Sequence, residues 1–228
     1  SDAACDCPYI KCEDSRRAMA LAAAEFYGHP ERRLKIIGIT GTNGKTTTTY
    51  LIKQILNLKG ERCDLIGTNH IIVGEDVRES IHTTPESLDL FRLFSEMAES
   101  GGKYVVMEVS SHSLALERVY GIEFETAVIT NITQDHLDFH KTMDAYAAAK
   151  AKLFTMSKTA AVNADDSYKD VILKAAKGPV ITYAIDAEAD VRAENLKMSG
   201  RGIIFDLVYK NARREMRLGI PGRFSVYN

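Results

Sequence analysis

The sequence predicts an α/β protein: a mostly parallel sheet flanked by helices, with a small antiparallel β-sheet near the C-terminus. Three observations carry this. Short apolar, β-branched runs at 35–40, 104–109, 127–130, 160–163 and 180–183 alternate with stretches of helical periodicity, the pattern of β–α units. The runs at 104–109 and 127–130 are nearly all apolar, as in parallel strands covered on both faces. After Asp186 the pattern changes to strand-like segments at 191–198, 203–209 and 215–220, broken at Ser199-Gly200 and Lys210-Asn211; this reads as an antiparallel sheet over 186–221.

The elements follow in order. Residues 14–27 are alanine-rich and form a helix stopped by Gly28-His29-Pro30. The strand at 35–40 leads through a glycine loop into a helix with Leu51, Ile52, Ile55 and Leu56 on one face, ending at Gly60. A strand at 62–66 is followed by a hairpin, with 71–73 and 77–81 flanking Gly74-Glu75-Asp76. Thr84 suits an N-cap, Pro85 the first helical position and Glu86 the positive end of a helix running to about Ser100. Its inward face is Leu88, Phe91, Phe94 and Met97. A helix over 142–156 sets Met143, Tyr146, Lys150, Leu153 and Phe154 at helical spacing, and another lies near 166–177.

With 29 Lys plus Arg against 31 Asp plus Glu in 228 residues, the net charge of -2 excludes a broad electrostatic surface for nucleic acid. The 45% hydrophobic content excludes disorder, collagen and coiled coil as global descriptions. No run approaches the ~18 apolar residues of a membrane span, and residues 1–12 lack the basic start and apolar core of a secretory signal. The expectation is a cytoplasmic protein with no membrane partner. Cys5, Cys7 and Cys12 crowd the start while Cys63 stands alone. That run lacks a fourth local ligand for zinc, and reduced thiols are the simpler reading.

Four stretches carry chemistry. Gly41-Thr-Asn-Gly-Lys-Thr46 predicts a P-loop-type mononucleotide-binding site, with Lys45 on the outer phosphates and the Thr46 hydroxyl on magnesium. Strict spacing would require glycine where Ile39 stands, so the loop is a variant. Glu108 ends a buried strand and can complete magnesium coordination. Thr133-Gln-Asp-His-Leu-Asp-Phe-His140 places Asp135, His136, Asp138 and His140 after another strand, a cluster suited to a metal or to positioning a nucleotide. Lys150 shares the apolar face of its helix, so it either snorkels past Tyr146 to solvent or is buried with changed chemistry.

Together these stretches resemble the Mur ligase family, ATP-dependent peptide-bond-forming enzymes of peptidoglycan precursor synthesis. The resemblance rests on Ile39-Thr-Gly-Thr-Asn-Gly-Lys-Thr-Thr47, His82-Thr-Thr-Pro85, Met107-Glu-Val-Ser-Ser-His112, Asn131-Ile-Thr-Gln-Asp-His-Leu-Asp-Phe-His140 and Tyr146-Ala-Ala-Ala-Lys150, in the family's order and spacing. It is strongest to the branch that adds lysine or meso-diaminopimelate to UDP-MurNAc-L-Ala-D-Glu. The resemblance implies an ATP site at Gly41, Thr42, Asn43, Gly44, Lys45, Thr46, Thr47, Asn131 and Asp135, and catalytic roles for Lys45, Glu108, His136 and Lys150. It implies magnesium at Thr46, Glu108, His136 and Lys150, the last as a carbamylated (N6-carboxylated) lysine. Thr83, Thr84, Ser110 and Arg118 would contact the UDP-muramoyl dipeptide.

The family resembles a three-domain architecture. Residues 1–33 match the end of the N-terminal domain, 34–221 the central ATP-binding domain and 222–228 the entry to the C-terminal one. The implied expectation is a chain that does not complete ligation alone. The alternatives are a stand-alone nucleotide-binding or regulatory module, and a folylpolyglutamate-synthase-like ligase, which fits worse at Thr83-Thr84-Pro85.

Overall fold

A computed structural model describes residues 10–228; Cys5 and Cys7 of the considered zinc motif lie outside the described residues. Helix α1 (Ser15–Phe26) starts at Asp14, whose carboxylate accepts from the amides of Arg16 and Arg17. Then come β1 (Lys35–Thr40), α2 (Lys45–Leu58), β2 (Cys63–Ile66), β3 (His70–Val73), β4 (Asp76–Glu79), α3 (Ser87–Glu99) and β5 (Tyr104–Glu108). The chain continues through α4 (Ser111–Ala115), β6 (Phe124–Ile129), α5 (Leu137–His140), α6 (Met143–Thr155), β7 (Ser157–Asn163), α7 (Lys169–Ala175) and β8 (Val180–Ala184). Strands β9 (Val191–Ser199), β10 (Gly202–Tyr209) and β11 (Ala212–Leu218) precede α8 (Phe224–Tyr227).

Among the described residues, eleven strands form one sheet in the order β11-β10-β9-β8-β7-β6-β1-β5-β2-β3-β4. From β2 to β9 neighbouring strands are parallel. The antiparallel strands expected near the C-terminus are present, and the parallel β8–β9 pair joins them to the main sheet.

Alternation along the strands divides the core between the two faces. Ile36, Val105, Met107, Ala127 and Ile129 pack with Leu90, Phe91, Phe94 and Leu114 of α3 and α4 and with Tyr146, Leu153 and Phe154 of α6. Ile39, Leu65 and Val106 face the other way, against Tyr50, Ile52 and Leu56 of α2. Strand β1 lies between β5 and β6, with Ile39 beside Glu108 and Thr40 beside Ile129. The chain leaves β1 toward β2 on one side and crosses from β5 to β6 on the other. The loop after β1 therefore stands at a topological switch point, where α/β sheets bind ligands.

Three local expectations are corrected. Helix α3 begins at Ser87 with Glu86 in the N-cap position, not at Thr84. The Thr84 hydroxyl is already committed, donating to Glu108 O at 2.9 Å and accepting from Ser110 N at 3.1 Å. With that later start, Leu90 and Leu93 join Phe91, Phe94 and Met97 in the core, and Leu88 is exposed. On α2, Ile55 is exposed while Thr48 and Thr49 are buried, and Leu56 still packs against the core.

Candidate functional site

Parallel register gathers the loops after β1, β5 and β6 at one end of the sheet. Gly41 has φ 144° and Gly44 φ 89°, both left-handed-side conformations that favour glycine. A Cβ on Gly41 would collide with the Thr130 hydroxyl, and one on Gly44 with the side chain of Asn228. The tight path positions α2 so that the amides of Lys45, Thr46 and Thr47 have no partner within the helix. These donors, at the positive end of the helix dipole, suit an anion.

Two other loop amides are occupied. Thr42 N donates to Asn131 O at 2.8 Å, and Asn43 N donates to Asn131 Oδ1 at 3.0 Å. Asn131 Nδ2 and Thr130 Oγ1 both donate to Asn43 O. Asn131 thus shapes the loop. The Thr42 hydroxyl donates to Thr133 O at 3.1 Å, which leaves Tyr146 as the donor in its 3.1 Å contact with Thr42 Oγ1.

Two ammonium groups converge on one carbonyl. Lys45 Nζ donates to Gly41 O and Thr42 O, each at 2.9 Å, and Lys150 Nζ donates to Gly41 O at 2.9 Å. Lys150 is 1% exposed, so it does not snorkel to solvent. Its Nζ lies 4.4 Å from the centroid of the Tyr146 ring. Burial, then the neighbouring charge of Lys45, pushes the Lys150 amine down to about 7. Lys45 is lowered too, chiefly by burial, with Glu108 and Asp135 working against the shift.

Glu108 is 1% exposed at the end of β5. Its Oε1 accepts from Thr46 Oγ1 at 2.9 Å, so a carboxylate and a hydroxyl meet beside the free amides of α2. This all-oxygen donor pair fits magnesium. Asp135 and His136 pair with each other, Nε2 to Oδ2 at 3.5 Å, and both are largely exposed. Thr47 is half-buried in the first turn of α2.

The expected substrate-contacting residues cluster beyond Glu108. Thr83 Oγ1 lies 3.1 Å from Thr68 Oγ1. Ser110 caps α4 through Ser113 N. The Arg118 guanidinium donates to Thr84 O at 2.9 Å and pairs with Glu86 at 2.7 Å, while its Nε is buried without a partner.

Sequence reasoning passed over three features. Thr68 contacts Glu108 twice. The ring of His112 lies 4.8 Å from that of His136 and 5.6 Å from that of His140, and His140 shares a 2.9 Å hydrogen bond with Ser111 Oγ. Burial first, then the neighbouring imidazole, lowers both His112 and His140, which favours their neutral forms. The third is a cavity of about 570 Å³ beside the glycine loop, lined by Asn43, Gly44, Asn131, Asn163, Asp166 and Tyr227 among others. The histidines, and Asn43, Gly44 and Asn131 of the cavity lining, lay in stretches already singled out. Thr68 and the cavity depend on segments distant in sequence.

A loop with free helix-terminal amides, two converging lysines and a buried carboxylate give this α/β protein the geometry of an anion site at the switch point of its sheet. The chain belongs to the Mur ligase family, matching the Mur ligase middle domain over residues 39–228. It is similar to the UDP-N-acetylmuramoyl-L-alanyl-D-glutamate--2,6-diaminopimelate ligase of Clostridium botulinum, 49% identical over 98% of this chain and 46% of that protein. A relative in Clostridium acetobutylicum, carrying that same name as ligase 1, is 52% identical with the same coverage. A solved structure of a 2,6-diaminopimelate ligase superposes with a TM-score of 0.83 at 32% identity, over 96% of this chain and 46% of that one. The folylpolyglutamate synthase of Mycobacterium tuberculosis, solved with ADP and AMPPCP, shares the fold alone, with a TM-score of 0.74 at 18% identity. The chain spans about half the length of the curated relatives it matches. Among the described residues no helix is long and apolar enough to cross a membrane.

Proposed function

We infer that this chain is the central ATP-binding domain of a cytoplasmic acid–amino-acid ligase, which activates the D-glutamate carboxylate of UDP-MurNAc-L-Ala-D-Glu for amide formation with a diamino acid. The names of the relatives favour 2,6-diaminopimelate as that diamino acid. The observation that carries the reading is the convergence of Lys45, Lys150 and Glu108 around a glycine loop whose helix-terminal amides are free. On this reading residues 34–221 form the domain, preceded by the end of a UDP-binding domain and followed by a linker.

The γ-phosphoryl group of ATP passes to the carboxylate oxygen, with ADP leaving, and the amine displaces phosphate from the acyl phosphate. Lys45 and the amides of Lys45 to Thr47 hold phosphoryl oxygens, and such transfers rest mainly on positioning and charge. Glu108 and Thr46 would hold magnesium, with Lys150 and His136 at a second site. When bound, the metal neutralises charge on the phosphates. The cavity beside Asn131, Asn163 and Tyr227 offers room for the nucleoside end of ATP. Thr83, Thr84, Ser110 and Arg118 line the substrate side.

Carbamylation of Lys150 fits its surroundings. A neutral amine is the nucleophile for carbon dioxide, and its depressed pKa supplies that form near neutral pH. The product carboxylate replaces one of two crowded cations with an anion.

The test is calorimetric titration with AMPPCP and magnesium. Wild type is expected to bind, while Lys45→Ala and Glu108→Ala weaken binding at least about tenfold, the loss of one charge-assisted contact. A wild-type chain that binds no nucleotide would overturn the reading.

A further inference from the structure

Thr68 lies two residues past the end of β2 and is itself exposed, yet both its donors turn inward. Its amide donates to Glu108 Oε1 at 2.9 Å and its hydroxyl to Glu108 Oε2 at 3.0 Å. With Thr46 on Oε1, both oxygens of a buried carboxylate are held and its plane is set. The preceding residue has no side chain, and a Cβ on Gly67 would lie 2.7 Å from Glu108 Oε1. The turn after β2 is therefore shaped around this carboxylate.

The donor direction of the next link follows from proton counting. A carboxylate only accepts, and a hydroxyl has one proton. Thr68 gives its proton to Glu108, so in the 3.1 Å contact between Thr68 Oγ1 and Thr83 Oγ1 the donor is Thr83. An unbroken chain of hydrogen bonds thus runs from Thr46, at the first turn of α2, through Glu108 and Thr68 to Thr83. Thr84 adds a parallel tie through Glu108 O.

We propose that Thr68 is a positioning residue that orients the Glu108 carboxylate toward Thr46 and couples it to Thr83, so that the metal-and-phosphate edge of the site and its substrate edge are set together. The naming of those two edges rests on the function proposed above; the coupling itself does not. Thr83 spends its proton on Thr68 and offers only lone pairs to the cleft. Thr68→Val strips Oε2 of its donor and frees Thr83, whereas Thr68→Ser keeps every bond.

Two measurements test this. In thermal unfolding of the ligand-free chain, Thr83→Val is expected to lower the Tm by about 2 °C in wild type and to have no effect in the Thr68→Val background. Equal shifts in both backgrounds would overturn the coupling. In titrations with AMPPCP and manganese, Thr68→Val is expected to weaken binding about tenfold or more and Thr68→Ser less than about twofold. Thr68→Ala repeats the loss with a smaller side chain. Undiminished affinity in the valine and alanine variants would overturn the positioning role. A wild-type chain that binds no nucleotide but shows the non-additive Tm shifts supports the coupling and rejects the functional reading alone.

Discussion

Lys150 and Lys45 place two ammonium groups on the carbonyl oxygen of Gly41, an arrangement that burial makes costly for Lys150 in its charged form. Its folded pKa, about 7, lies below the ordinary lysine value, so the unfolded chain binds more protons between those limits. Stability contributed by this position therefore rises with pH across that window. In magnesium-free, carbon-dioxide-free buffer, Lys150→Met is expected to raise the Tm near pH 6.5, with the gain over wild type shrinking toward pH 10; scanning calorimetry across the range measures it. Cys63 makes a second case. Burial pushes its thiol up to about 11, whereas Cys12 is exposed. Iodoacetamide at pH 8 is expected to label Cys12 and to leave Cys63 unmodified until urea is added, as peptide mass spectrometry reads out. The sequence marked Lys150 as out of place on an apolar face. It did not choose between burial and snorkelling, because that depends on how closely Gly41 and Tyr146 pack over it.

Elements were legible where one period dominates. The α6 face from Met143 to Phe154 is apolar at helical spacing, and all of Tyr146, Lys150, Leu153 and Phe154 are buried. The start of α3 was misread because Thr84 has the chemistry of a cap but spends its hydroxyl on a neighbouring strand. The short helices α4 and α5 are too brief for periodicity to reveal. Packing of α6 on the sheet requires a flat spot on β1, and Gly38 supplies it. A Cβ there would sit 2.8 Å from the Phe124 ring and 3.0 Å from Leu153. Gly38→Ala is expected to destabilise the chain by about 1–3 kcal/mol through overpacking, as urea denaturation would show.

At the scale of the molecule, one carboxylate ties the C-terminal region to the sheet. Asp165 accepts from the amides of Ile185, Asp186 and Ala187 and from the Tyr227 hydroxyl, at 2.7 to 3.0 Å. Burial pushes its carboxyl up, but these donors together outweigh burial and hold it below the usual value. Its stabilisation is thus present above the ordinary aspartate pKa and lost as pH falls through the lower folded value. Asp165→Ala is expected to cost about 2–4 kcal/mol in urea denaturation at neutral pH, with the difference from wild type vanishing in acid. The variant should also loosen α8, read as faster amide exchange over 224–227.

The α/β class, the longer strands and helices, and the loop that holds Lys45 were determined by the sequence alone, because each is written in local periodicity and in the backbone demands of Gly41 and Gly44. The tertiary structure decided what no local rule contains. It placed β1 between β5 and β6, so that Glu108 meets Thr46 and Thr68. It committed the amides of Thr42 and Asn43 to Asn131 and brought Lys150 to Gly41 across the fold. The physical reason is the same in each case. Hydrogen bonds between distant segments are set by strand order and register, and these emerge only when the alternating faces of the sheet are buried together.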